Sequence, residues 1–367
     1  MKLNNYLFLL IIGFTMLAAA CKKGEPLQKE PVKVVKVSIT GSTTVPLEFI
    51  YKDSIIASVD LASRENFIRE VLLPVSNQSS EISIREAGTT NVIDSHTVPS
   101  SPFKQNLSVY YDGSQTYEKS ITYQLKGFAM AGELEFLVDE KLVHTGTLKI
   151  EKNLTIYVNE NKERQFTVRK KGETTNLLTK TVTSSPSTGQ SLKFFFDGTR
   201  LVDNIEIKPP ANPENMSVTA QFATTFTIAS AGALFKGGDV DAVFYIRNSA
   251  GVVTVPSPEI RIKMPASGAF VTFELPPLPN STSFYTYDIC EVGSDALPYT
   301  DFLVANIFPP KLNKGKLGEI KFGSSYFEAG AAKLILMQDM MALKSSPAAE
   351  KGRYFFGKIL DLSQYFQ

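Results

Sequence analysis

An all-β fold, built from two tandem β-sandwich repeats and a larger third β domain, is predicted by three observations. Apolar and polar residues alternate in short runs, as in Ile82-Ser83-Ile84-Arg85 and Phe166-Thr167-Val168-Arg169, the two-residue period of a half-buried strand. Gly88, Gly172, Ser-Ser-Pro steps and Asp-Gly steps punctuate these runs at short spacing. The chain also repeats itself. Leu47-Glu48-Phe49 returns as Leu134-Glu135-Phe136, Thr89-Thr90-Asn91 returns as Thr174-Thr175-Asn176, and Leu107-Ser108-Val109-Tyr110-Tyr111-Asp112-Gly113 returns as Leu192-Lys193-Phe194-Phe195-Phe196-Asp197-Gly198.

Length and charge bound the rest. A chain of 367 residues exceeds one ordinary core and suits two or three domains. Its 38 Lys and Arg against 37 Asp and Glu leave no basic excess, so nucleic acid is not an expected partner. With 43% apolar and 20% charged residues the chain is not a disordered one. Its two cysteines, Cys21 and Cys290, exclude a disulfide framework.

In chain order, Met1 to Asn5 gives a short positive start and Tyr6 to Leu17 an apolar stretch, so residues 1–20 read as an export signal. Ala18-Ala19-Ala20-Cys21 then resembles the lipobox of bacterial lipoproteins, with Ala18 where that family usually has Leu. The resemblance implies lipidation at Cys21 and a membrane partner reached through that lipid anchor. It also implies the outer membrane of a Gram-negative cell, because Lys22 stands where an Asp would signal inner-membrane retention. The alternative is an ordinary secretory signal cut at Ala-x-Ala. Residues 21–34, polar and Pro-containing, read as a tether.

Residues 35–118 and 119–203 are the two repeats. About seven short strands in each suggest an immunoglobulin-like β-sandwich, without the Cys…Trp…Cys core of antibody domains. A strand before a short turn at Lys52-Asp53, a pair of alternating strands and a closing aromatic strand before Asp-Gly resemble the tandem β-sandwich repeats of unknown function in exported bacterial lipoproteins. That resemblance implies architecture only. Lys208-Pro209-Pro210-Ala211-Asn212-Pro213 marks 204–215 as a stiff linker, since proline cannot donate to a sheet ladder. Residues 216–367 form the C-terminal β domain, with apolar segments from Gln221–Ile228 to Ile320–Phe322, among them Phe302–Phe308. Its tail allows two readings. Residues 331–343 are rich in helix formers, with Leu334, Met337 and Met341 on one helical face, but they also suit a strand paired with Tyr354 to Leu360, the reading favoured in an all-β chain.

Reactive chemistry is sparse. His96 and His144 hold non-equivalent repeat positions and are expected at the surface; no His-Glu-x-x-His, Gly-x-Ser-x-Gly or phosphate-cradling loop occurs. Asp239 and Asp241 beside Gly237-Gly238, with Asp288, Glu291 and Asp295, suit calcium or ordinary turn chemistry. Tyr285, Tyr287 and Tyr299 are candidate sugar platforms, although the chain lacks Trp. Phe194-Phe195-Phe196 and Tyr354-Phe355-Phe356 read mainly as core, and Cys290 as a small buried apolar group. Catalytic, metal and cofactor residues are assigned none. The expected function is a membrane-anchored, non-enzymatic envelope lipoprotein presenting a binding domain to a polysaccharide or an envelope protein. A structural or adhesive component with protein contacts only is the alternative, and a carbohydrate-active enzyme the third.

Overall fold

The computed structural model describes residues 32–62, 65–75, 80–185, 190–225, 233–301, 310–311, 314–344 and 352–366. The export signal, Cys21, Lys22, most of the tether and the Phe302–Phe308 segment lie outside the described residues. Within them the chain is all-β; the one helical element is a single 3-10 turn, Ser363–Tyr365, and no helix is long and apolar enough to cross a membrane. Two compact units form. One runs through Ile121 and includes Ile156–Glu163 and Thr183–Ser185; the other holds Thr122–Thr155, Arg164–Val182 and Pro186–Gln367.

The first repeat is a two-sheet sandwich. Lys33–Thr43 lies between Phe67–Val75, antiparallel, and Lys104–Tyr111, parallel; Leu47–Tyr51 lies between Ser54–Val59 and Ser80–Glu86, both antiparallel. Alternate residues of these strands, Val35, Val37 and Ile39 with Phe49, Ile82, Ile84 and Val109, fill one core. Tyr157 belongs to the same compact unit, its hydroxyl 2.8 Å from Ser42 Oγ and its ring centroid 5.8 Å from that of Tyr117.

The second repeat keeps the register of the first. Ser191–Phe196 runs parallel to Lys119–Val138, and Glu163–Lys170 pairs antiparallel with the end of the same long strand. The repeated Leu-Glu-Phe segment has a structural reason: Arg85 Nε donates to Glu48 at 2.8 Å, and Arg169 Nε donates to Glu135 at 2.8 Å, across the corresponding strand pair. The Asp-Gly steps match as well. Asp112 accepts the Ser114 and Gln115 amides, and Asp197 accepts those of Thr199 and Arg200. Both two-residue turns, Lys52-Asp53 and Asp139-Glu140, have positive φ at both residues, the twist a tight hairpin needs. Sequence comparison passes over Gly41 and Gly127. They face Val109 and Phe194 across the parallel pair, where a Cβ would lie 1.8 Å from the Val109 oxygen and 2.5 Å from the Phe194 oxygen.

The C-terminal domain follows the same strand plan in enlarged form. Its first strand, Met216–Ala223, is antiparallel to Val271–Leu275 and parallel to Ala332–Lys344; Val240–Arg247 is antiparallel to Ile260–Met264 and Phe284–Glu291. The tail is a strand pair, Ala332–Lys344 with Gly352–Asp361. Helix propensity yields because Ile335 and Met337 enter the sandwich core while Leu334 and Leu336 pack on the opposite side with Phe195, a period of two. Enlargement is concentrated in the connections. Residues 44–46 join the first two strands of repeat 1, whereas 224–239 do so here, carrying Ala233–Phe235, which pairs with Tyr299–Asp301.

Candidate functional site

Strand directions place 224–225, 233–239, 265–270 and 292–298 together at one end of the C-terminal domain, opposite the end where Met216 begins its first strand. Loops at the end of a sandwich are where recognition is commonly carried, so this end is the candidate site.

Buried carboxylates hold these and neighbouring connections to the sandwich. Asp339, fully buried within an apolar strand, accepts from Thr224 Oγ1 at 2.7 Å, the Thr225 amide at 2.5 Å and the Tyr299 hydroxyl at 2.7 Å. The long first connection and the Tyr299 strand are therefore fastened at one residue. Asp241 accepts the Gly293 amide at 2.8 Å and lies 3.4 Å from Arg261, whose guanidinium also reaches the Ser294 carbonyl, Glu259 and Asp295. Asp288 accepts the amides of Gly315, Lys316 and Leu317 at 2.6, 3.2 and 3.0 Å, which fixes that segment over the outer side of its strand. Burial raises the pKa of Asp339 and of Asp288, the hydrogen bonds only partly opposing it, whereas Lys314 and Arg261 lower that of Asp295.

The acidic residues singled out in the sequence are thus brought partly together, around an arginine. Asp241 and Asp295 share Arg261; Asp239 pairs with Lys263 at 2.7 Å and accepts the Ala266 amide; Glu291 pairs with Lys236 at 2.6 Å; Asp288 lies mid-strand under the 315–317 backbone. Their lone pairs serve guanidinium, ammonium and amide donors, as carboxylates beside turns commonly do. Among the described residues, no three His, Cys, Asp or Glu side chains are placed to hold a metal ion.

The tyrosine platform is corrected. Tyr285, Tyr287 and Tyr299 are core residues, at most 5% exposed: the strand of the first two, Phe284–Glu291, is buried on both sides, and Tyr299 packs beside Phe235 with its hydroxyl on Asp339. Phe194, Phe195 and Phe196 are likewise fully buried, and Met337 is interior. Cys290 packs with Val243 and Tyr245 as expected, and burial pushes its thiol up to about 12. His96 is half-buried, 3.2 Å from Asp94, and His144 is half-buried with its ring 5.8 Å from that of Phe136, so neither is a freely exposed side chain. Sequence reading missed Arg261 and Asp339. The second had a signal: a lone carboxylate inside Leu334-Ile335-Leu336-Met337-Gln338-Asp339-Met340-Met341 must find donors if its strand is buried.

No family model and no curated protein matches the chain. Among solved structures, the Bacillus anthracis TIE protein is 12% identical over 74% of this chain and 48% of its own, with a TM-score of 0.17. The chain therefore spans about half the length of that protein. The pneumococcal glycogen-degrading virulence factor SpuA is 9% identical over 71% of this chain and 37% of its own, with a TM-score of 0.17. The central fibronectin-III array of RIM-binding protein is 12% identical over 71% of this chain and 87% of its own, with a TM-score of 0.13. Superpositions this poor carry no function to this chain.

Proposed function

We propose that the protein is a membrane-anchored, non-enzymatic cell-envelope lipoprotein. Cys21 carries the lipid, the two repeats act as spacers, and the C-terminal domain presents its loop-bearing end to a polysaccharide or protein partner. The observation that carries the binding part is the fastening of the enlarged connections. Asp339 holds Thr224 and Tyr299, and Asp241 holds Gly293, so the described parts of these connections are tied to the sandwich, and a tied segment costs less to order on binding. The anchoring part rests on Ala18-Ala19-Ala20-Cys21. More than one acyl chain on that residue gives stable attachment, at about 0.8 kcal/mol per buried methylene.

Two experiments test the proposal with the full-length chain. Cys21→Ala moves the protein from the membrane to the soluble fraction; persistence in the membrane refutes the anchor. The native chain is then applied to an array of polysaccharides and, after crosslinking in the envelope, its stoichiometric neighbours are identified. Saturable binding of either class supports the binding role. A product formed from any arrayed polysaccharide would make the protein an enzyme and overturn the reading.

A further inference from the structure

We propose that one end of repeat 1 is a second membrane contact, seated among the headgroups of the bilayer that holds Cys21, an inference that rests on the anchored reading above. Strand register places that end. Lys33–Thr43 starts there, Phe67–Val75 finishes there, antiparallel to it, and Lys104–Tyr111 starts there, parallel to it. In the facing sheet the Lys52-Asp53 turn and Ser80 lie at the same end, because the Tyr51 hydroxyl donates to the Pro74 carbonyl and lies 3.1 Å from Ser80 Oγ.

Three observations point to a lipid surface. First, large apolar side chains stand uncovered at this end: Val32, Val34, Ile55, Leu72 and Phe103 are 45–67% exposed, and Val34, Leu72 and Pro74 share the outer face of one sheet. Second, charge is sorted along the module. Every lysine among the described residues of repeat 1, Lys33, Lys36, Lys52 and Lys104, lies at this end, whereas Asp60, Glu65 and Asp112 lie in connections at the other. The carboxylates that accompany the lysines are Asp53, Glu70 and Glu81, and Glu70 is taken by Lys36 at 2.8 Å. Lysines beside apolar residues suit a membrane interface, where the stems cover carbon and the amines reach phosphate. Two copies meeting through this end would instead set lysines against lysines. Third, the covalent route leads here. Val32 stands eleven residues after Cys21, a reach of at most about 40 Å, and the chain enters the sandwich at this same end.

The test places the full-length lipidated chain in vesicles of brominated phosphatidylcholine and phosphatidylglycerol. The parent has no Trp, so one introduced Trp reports its own depth. Leu72→Trp and Phe103→Trp, both at exposed positions, are expected to lose most of their fluorescence to the brominated chains and to shift to the blue. Val92→Trp, similarly exposed but at the other end of the module, keeps its intensity and wavelength. Adding Lys33→Glu and Lys104→Glu to Leu72→Trp restores much of the lost emission. Flotation of the same vesicles reads the anchor separately. A chain that floats with its vesicles while Leu72→Trp and Phe103→Trp stay unquenched overturns this contact and leaves the anchor standing. Equal quenching of Val92→Trp overturns the assignment to this end. Self-association that shifts Leu72→Trp to the blue without quenching makes a second copy the occupant and also overturns the inference. A chain that stays off the vesicles refutes the anchor and this contact together.

Discussion

Repeat 1 fills its core with Val35, Ile39, Phe49 and Ile84, and its described carboxylates stay at or near the surface; the C-terminal domain, on the same strand plan, buries Asp241, Asp288 and Asp339 beside Phe244 and Tyr287. The difference lies in the connections. A short link such as 44–46 needs little fastening, since each end is already set by a strand, but 224–239 carries its own backbone polar groups and must be tied down. Burying a carboxylate is unfavourable unless it is fully hydrogen-bonded, and these three spend that bonding on the added segments. Enlargement of a sandwich thus exchanges apolar simplicity for polar attachment points.

The largest expected effect comes from removing one such point. Asp339→Ala removes the buried carboxylate that accepts from the Tyr299 and Thr224 hydroxyls and the Thr225 amide, a loss of about 3 kcal/mol read as a lowered urea midpoint. Asp339→Asn keeps an acceptor and loses less. If both variants unfold like the parent, the attachment reading is wrong.

Next come Gly41→Ala and Gly127→Ala, which test whether the repeats are equivalent. Each places a Cβ against a carbonyl oxygen of the partner strand, so each should cost about 2–4 kcal/mol. A large cost at one site only would break the equivalence.

Acid separates the regions by sign. Burial raises the native pKa of Asp288 and Asp339 above the ordinary 3.8, so the folded C-terminal domain binds protons more tightly than the unfolded chain. Their contribution favours the folded state at low pH and is lost as pH rises from about 3.8 through the raised values. Asp112 is the reverse. Burial would raise it, but hydrogen bonds from Ser114, Gln115 and Tyr117 outweigh that and hold it at about 2. Its stabilisation, about 1 kcal/mol after solvent screening, is present above 3.8 and lost as pH falls toward 2. Amide hydrogen exchange followed across this range should show the two contributions moving in opposite directions.

The smallest effect is the ion pair common to both repeats. Double-mutant cycles on Glu48–Arg85 and Glu135–Arg169 should each give about 0.5–1 kcal/mol and agree with one another.

Much of the strand plan was legible because its causes are local. The alternation of Ile82 to Arg85 and the Asp-Gly steps depend on neighbours in sequence, and the structure repeats them down to the Asp112 and Asp197 turns. The Ala332–Lys344 strand was legible only in part: its residues favour a helix, and burial on both sides decides otherwise. The platform reading of Tyr285 and Tyr287 failed for the same cause, since a doubly buried strand cannot be told from a half-exposed one by composition. That the third domain repeats the plan of the first two escaped sequence comparison, because strand order survives long insertions that erase the spacing.

The parallel pairing of first and last strands has a mechanical consequence. In repeat 1, Lys36–Thr43 runs beside Lys104–Tyr111, and in repeat 2 Gln124–Ala129 runs beside Ser191–Phe196, in the same direction. Tension applied through the two chain ends of a repeat therefore slides these strands lengthwise past each other. The rungs of the ladder then share the load and must break together instead of opening one by one as in a zipper. Gly41 and Gly127 permit the close backbone approach on which that ladder depends, so a residue chosen for its small size also sets how much pull the module resists.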